Sequence, residues 1–193
     1  MCHSGAFFRL KMAHMSRNSG KVPRSGYDLH EANPSPSTGE KDTTMHCILF
    51  ICHGNICRST MAESVMTELV HRAGRSNEFE IDSAATSREE LGNPPHHGTV
   101  AKLRAEGFPV VPHRARQIAR SEYDRWDHII YMDGENRRGL MRILGGDPQG
   151  KVSRLLDWTD RPADVADPWY TGNFDATWRD VLAGCTALLE QLS

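Results

Sequence analysis

Cys52 and Arg58 stand five residues apart in the run Cys52-His53-Gly54-Asn55-Ile56-Cys57-Arg58-Ser59. A thiolate is a strong nucleophile, and a helix N-terminus or a nearby cation stabilises its charge. A guanidinium offers a planar fork of N–H donors that fits two phosphate oxygens at once, which an ammonium cannot copy. Gly54 lets the backbone turn sharply and approach a ligand without a Cβ penalty. Asn55 tolerates a left-handed backbone and can brace the turn with its amide. Ser59 can hydrogen-bond the sulfur and help it leave. A thiol, an amide-lined turn and an arginine at this spacing describe a site that cleaves phosphate esters.

Such a turn has to be held between two regular elements. The apolar run Cys47-Ile48-Leu49-Phe50-Ile51 precedes it and predicts a buried strand. After it, Met61, Ala62, Val65, Met66, Leu69 and Val70 form a broad stripe that predicts a helix over 59–73, with a capping box from Thr60 and Glu63 and a stop at Gly74. A strand followed by a turn and a helix aims several N–H groups and a helix N-terminus at one anion. The N–H groups of His53, Gly54, Asn55, Ile56, Cys57 and Arg58 are the expected phosphate cradle.

Other readings of these residues are weaker. A lone buried cysteine is usually a small hydrophobe. His46, Cys47, Cys52, His53 and Cys57 cluster in sequence, but their spacing is not that of a zinc site. Residues 47 and 52 also fall on opposite faces of a strand. No metal ligand set and no cofactor site is expected.

Downstream, strand and helix patterns alternate. Phe79, Ile81 and Ser83 alternate with Glu80 and Asp82 as a half-exposed edge strand; Gly92-Asn93-Pro94-Pro95 is a turn. A helix over about 96–106 ends at Gly107, with His96 and His97 in solvent. A third strand is expected over 127–132, a helix over about 135–144, and a short strand over 151–155. The last helix carries the stripe Phe174, Trp178, Val181, Leu182, Cys185, Leu188, Leu189 and Leu192. This order implies an α/β three-layer sandwich: a four-stranded parallel sheet with helices on both faces and the phosphate-binding loop after the first strand. Ligands of such sheets bind beyond the carboxyl ends of the strands, where Cys52 lies. Gly145-Gly146-Asp147-Pro148-Gln149-Gly150-Lys151 resembles a nucleotide-binding loop but lacks the magnesium-holding Ser or Thr and precedes a strand.

The chain has 193 residues, 38% hydrophobic and 25% charged, with a net charge of −2. That suits one soluble domain and gives no electrostatic case for nucleic acid. No apolar run reaches the ~18–20 residues that span a membrane. Five cysteines suggest no disulfide framework, so a reducing cytoplasm is expected. The chain is also expected to be a monomer. Residues 1–44, rich in Ser, Gly, Pro and Thr from Ser16 onward, are expected to be a disordered extension, either a tail or an overlong start before Met45, with the domain over 45–193.

Cys-x-Gly-Asn-Ile-Cys-Arg-Ser after an apolar strand resembles the signature of low-molecular-weight protein-tyrosine phosphatases. Asp167-Pro168-Trp169-Tyr170-Thr171-Gly172 resembles the Asp-Pro and aromatic segment near the end of that family's domain. The resemblance runs over about residues 45–193. It implies hydrolysis of phosphotyrosine, in proteins or in small aryl phosphates, through a phosphocysteine on Cys52. Arg58 would bind the phosphate, and Asp167 would act as general acid and then base. It further implies Asn55, Ser59, Ser83 and His113 as supports of the loop, and Trp169 and Tyr170 as an aromatic substrate wall. Asp133 matches an Asp of the family, which a helix N-cap explains as well. Cys57 matches a second loop cysteine that can close a disulfide with oxidised Cys52.

The chain departs from the family's pattern at two places. Thr60 replaces a Pro after the loop Ser. Glu89 stands in the wall where many members have Trp or Tyr, which bears on substrate preference. Three further functions are compatible with the scaffold. An arsenate reductase needs another cysteine pair, absent between Cys57 and Cys185. A protein-arginine phosphatase typically carries Thr where this chain has Ile56. A silent phosphotyrosine-binding module would not need Cys52, Arg58 and Asp167 together.

Overall fold

The computed structural model describes residues 45–193, so the expectation for residues 1–44 lies outside the described residues. Strand β1 (His46–Cys52) is buried along almost its whole length. It pairs in parallel with β2 (Phe79–Ala85) on one side and β3 (His128–Tyr131) on the other; β4 (Val152–Arg154) completes the sheet beyond β3. The strand order is β2-β1-β3-β4. A central parallel strand is covered on both faces, which is why β1 reads as a continuous apolar run.

Side chains of β1 alternate between two cores. Ile48, Phe50 and Cys52 face the larger one, built with α1 (Arg58–Arg72), α2 (His97–Ala105) and α5 (Phe174–Gln191). Cys47, Leu49 and Ile51 face the other, built with α3 (Gly134–Leu144) and the 3-10 turn Arg120–Arg125. Helices on both faces of a four-stranded parallel sheet give the expected three layers. Among the described residues no helix is long and apolar enough to cross a membrane.

Several local expectations gave way to tertiary contacts. The capping box at the start of α1 does not form: Cys57 is the N-cap without a side-chain bond, and Thr60 Oγ1 donates to the Cys57 carbonyl at 3.0 Å. Glu63 is instead buried and turned toward β2. The edge strand is half-exposed only in its first part. Ser83, Ala84 and Ala85 are buried because the segment 115–118 lies along the strand end, with Ala85 N–H donating to Arg116 O at 2.7 Å. The fourth strand stops at Arg154 because Leu155–Trp158 tightens into a 3-10 turn that buries Leu155 and Leu156.

Helix α5 packs across α1 and against the 3-10 turn Leu155–Trp158. A Cβ on Gly184 of α5 would come within 2.5 Å of Leu155 Cγ, and Leu155 is fully buried. Alanine's better helix propensity is worth about 1 kcal/mol, while overpacking a filled core costs about 1–3 kcal/mol. Gly184→Ala should therefore lower the urea midpoint at unchanged m-value, by the equivalent of up to about 2 kcal/mol. A midpoint that stays or rises contradicts this packing.

Candidate active site

The turn after β1 leads straight into α1, so the loop 52–58 curls around the helix N-terminus. Asn55 N–H donates to Cys52 Sγ at 3.2 Å, and Ser59 Oγ lies 3.0 Å from the same sulfur. Among the described residues, no acceptor meets the N–H groups of His53, Gly54, Ile56, Cys57 or Arg58. Buried amides without partners are costly, and a ring of them beside a helix N-terminus is the physical form of an anion receptor.

Asn55 holds this loop in shape. It is the one described non-glycine residue with positive φ, at 59°, a conformation asparagine tolerates better than other side chains. Its Nδ2 donates to Ser59 Oγ at 2.9 Å and to Ser83 Oγ at 2.8 Å. Its Oδ1 accepts from Arg116 N–H at 3.0 Å and meets His113 Nε2 at 2.7 Å. Because both amide hydrogens go to the two hydroxyls, those hydroxyls are left to donate onward. Ser83 donates to Glu63 Oε2 at 2.6 Å, and Ser59 is free to donate to the sulfur. His113 Nδ1 faces Glu63 Oε2 at 3.1 Å. Thus Asn55, Ser59, Ser83 and His113 meet in one hydrogen-bond network.

Arg58 is buried with two carboxylates on its fork. Nη1 donates to Asp133 Oδ2, and Nη2 pairs with Asp167 Oδ2 at 2.6 Å. Burial disfavours its charge, but the Cys52 sulfur, Asp133 and Asp167 together outweigh that and hold its pKa above the ordinary value. Asp133 also caps α3, accepting from Asn136 N–H at 2.7 Å. The N-cap role and the arginine contact are both real, each using one oxygen. Asp167 caps the short α4 (Pro168–Thr171), accepting from Trp169 N–H at 3.0 Å.

These residues surround a cavity of about 440 Å³. Cys52, Arg58 and Asp167 line it together, although Asp167 lies more than a hundred residues from Cys52 in sequence. Trp169 and Tyr170 line its mouth and are the most exposed large hydrophobic side chains of the described region, with Tyr170 83% exposed. Glu89 lines it too, with Oε2 3.0 Å from His53 Nε2. Cys57 is buried; burial first, then the Cys52 sulfur and Asp167, push its thiol up to about 12, so it stays protonated at neutral pH.

Sequence reasoning missed Glu63, Arg116 and Glu90. A charge set inside the apolar face of α1 was the available signal for Glu63. Arg116 acts through its backbone, which leaves no residue-type signal. His96 was expected in solvent but is half-buried. Its Nδ1 accepts from Gly98 N–H at 3.1 Å as the cap of α2, its own N–H donates to Ile56 O at 2.7 Å, and its ring stacks on Phe174. Glu63, Asp82 and His113 bring ligand-type atoms within 4.8 Å of one another. Those atoms are engaged already: Asp82 Oδ2 accepts from Arg116 Nη2 at 2.8 Å, and Glu63 Oε2 is shared by Ser83 and His113. The cluster serves as loop bracing.

A doubly covered parallel sheet with a cysteine-to-arginine anion cradle at the end of its first strand, and a carboxylic acid brought over it, defines a class of cysteine-based phosphatases. A profile of the family described as low molecular weight phosphotyrosine protein phosphatase matches residues 47–193. The low molecular weight protein-tyrosine-phosphatase YfkJ of Bacillus subtilis is 40% identical over 150 residues, 77% of this chain and 96% of that protein. Its crystal structure superposes with a TM-score of 0.74, covering 77% of this chain and 95% of the other. The human low molecular weight phosphotyrosine protein phosphatase is 36% identical over 149 residues, 75% of this chain and 94% of that protein. The structure of a Drosophila arginine phosphatase, 26% identical, reaches a TM-score of 0.68 over 76% of this chain and 97% of the other. The chain belongs to the low molecular weight phosphotyrosine protein phosphatase family.

Removing the Asn55 amide would orphan several buried partners at once, each costing about 1–3 kcal/mol. Asn55→Ala should lower both the unfolding free energy and the affinity for inorganic phosphate by at least about tenfold in binding. Phosphate affinity that is unchanged by calorimetry would contradict the bracing role.

Proposed function

We propose that this protein is a tyrosine phosphatase that hydrolyses aryl phosphate monoesters, chiefly phosphotyrosine in proteins, through a phosphocysteine on Cys52. The observation that carries the reading is the convergence of Cys52, Arg58 and Asp167 on one cavity, with the acid 2.6 Å from the guanidinium. The Cys52 sulfur attacks phosphorus, an S–P bond forms and the ester P–O bond breaks. Arg58 and the loop N–H groups take up the charge on the equatorial oxygens. The Asp167 carboxyl gives its proton to the leaving phenolate oxygen. The same group then takes a proton from the water that attacks phosphorus. The S–P bond breaks as Ser59 hydrogen-bonds the departing sulfur, and inorganic phosphate leaves. Asp167 pairs with one arm of the Arg58 fork, and a phosphate that takes that arm frees the acid for proton transfer.

Trp169 and Tyr170 offer flat apolar surface to an aromatic leaving group. Ile56, buried in the loop and lining the cavity, favours phosphotyrosine over the more polar phosphoarginine. Cys57 is the partner for a disulfide with Cys52 once peroxide has oxidised the latter; its raised thiol makes it a protonated, hence slow, resolving group at neutral pH. A thiolate nucleophile needs reducing surroundings, which supports action in the cytoplasm.

Hydrolysis of p-nitrophenyl phosphate and of matched phosphotyrosine and phosphoarginine peptides tests the reading. Cys52→Ser should abolish turnover. Asp167→Ala should slow kcat by about 10²–10⁴-fold, most for poor leaving groups. Full activity in the serine variant, or a preference for phosphoarginine, would overturn it.

A further inference from the structure

The phosphate cradle is built for a dianion, yet its rim carries negative charge. Glu89 Oε2 sits 3.0 Å from His53 Nε2, on the residue next to the nucleophile. Glu90 lies against Gly54: a Cβ there would meet Glu90 Cγ at 3.0 Å. Both carboxylates therefore hang on the loop that receives the phosphate, and both line the cavity. Elsewhere on the cavity the acids are paired with arginines. Asp164 is held by Arg154 at 2.8 Å and Glu135 by Arg138 at 3.3 Å. Among the described residues, no lysine or arginine comes within ion-pair distance of Glu89 or Glu90; Glu89 has His53, and Glu90 has the amide of Asn93 at 2.6 Å and an electrostatic interaction with His96.

An unneutralised pair of carboxylates beside a dianion site repels the ligand unless the ligand brings its own cations. The cleft mouth also holds two exposed aromatic side chains, Trp169 and Tyr170. Aromatic faces and carboxylates together are the surroundings that a guanidinium or ammonium group prefers. We propose that the Glu89–Glu90 lip reads basic side chains flanking the phosphotyrosine, so that the preferred substrates are phosphotyrosine segments rich in arginine or lysine. The lip touches neither the sulfur nor the reacting phosphoryl group. It sets specificity through charge and leaves the bond-breaking steps to Cys52, Arg58 and Asp167. This inference rests on the tyrosine phosphatase reading and narrows its substrate class.

The test uses phosphotyrosine peptides of one sequence carrying arginine, glutamine or glutamate at the flanking positions. The wild-type protein should turn over the arginine peptide with a kcat/KM about tenfold above that of the glutamate peptide at low salt. The gap should shrink as ionic strength rises toward ~0.5 M, because exposed charges are screened. In the double variant Glu89→Gln, Glu90→Gln the ratio should fall close to one, and Glu89→Lys should favour the glutamate peptide. The readout is the ratio within each variant, so a change in overall rate does not disturb it. A wild-type ratio near one, or a ratio that the double variant leaves intact, overturns the lip. Failure of the wild-type protein to hydrolyse p-nitrophenyl phosphate at all would overturn the phosphatase reading instead.

Discussion

A buried guanidinium is the constraint on which the site depends. Taking Arg58 out of water is expensive, and its charge survives only because opposite charges surround it. Asp133 holds one arm permanently, since that carboxylate is fixed at the N-cap of α3. Asp167 holds the other arm from a short helix whose aromatic residues are exposed. The two partners are thus unequal. One is locked in the scaffold and orients the fork. The other sits on a surface segment and can yield its place to a phosphate. An arginine with two locked partners would leave no arm for substrate, and one with none would be too costly to bury.

The second requirement is that the loop be rigid before substrate arrives. Asn55 meets it by collecting partners from three segments: the neighbouring Ser59 on α1, and, far off in sequence, Ser83 on β2 and residues 113 and 116 of the long connection after α2. The last of these is 61 residues away in sequence. Those bonds fix a backbone that asparagine alone would only tolerate, and they settle which way each hydroxyl points. The ordering of the phosphate cradle is therefore a property of the whole sheet edge, and Glu63 and Arg116 take part in it without touching a ligand.

The elements were legible because each carries its own period. The continuous apolar run of β1 and the stripes of α1 and α5 hold in the structure, with ends displaced by a residue or two. What failed were features that local pattern shares with tertiary demand. Thr60 and Glu63 have capping-box spacing, but the buried hydroxyl of Ser83 and the ring of His113 compete for the same carboxylate and win. Leu155 directly follows β4, yet its burial against α5 turns the chain. His96 looked like one of two solvated histidines, whereas its backbone ties the phosphate loop to α2. Cys52, Arg58 and Asp167 were legible because the proposed chemistry requires their residue types. Arg116 was not, because a backbone N–H can come from any residue.

Glu89 is the place where sequence and structure bear on different questions. From the sequence it stands for a lost aromatic wall, a defect in a pocket for a flat ring. In the structure it belongs with Glu90 to a charged border on the phosphate loop itself, next to an aromatic segment that is still present. Charge inside the bowl is buried and hydrogen-bonded, so it acts at short range and is weakly screened. Charge on the border is exposed, so it is weak for any one contact but reaches whatever lies beside the phosphotyrosine. The inner set can stay constant while the outer set is changed without touching the chemistry, because the two share a cleft but only one of them shares the core.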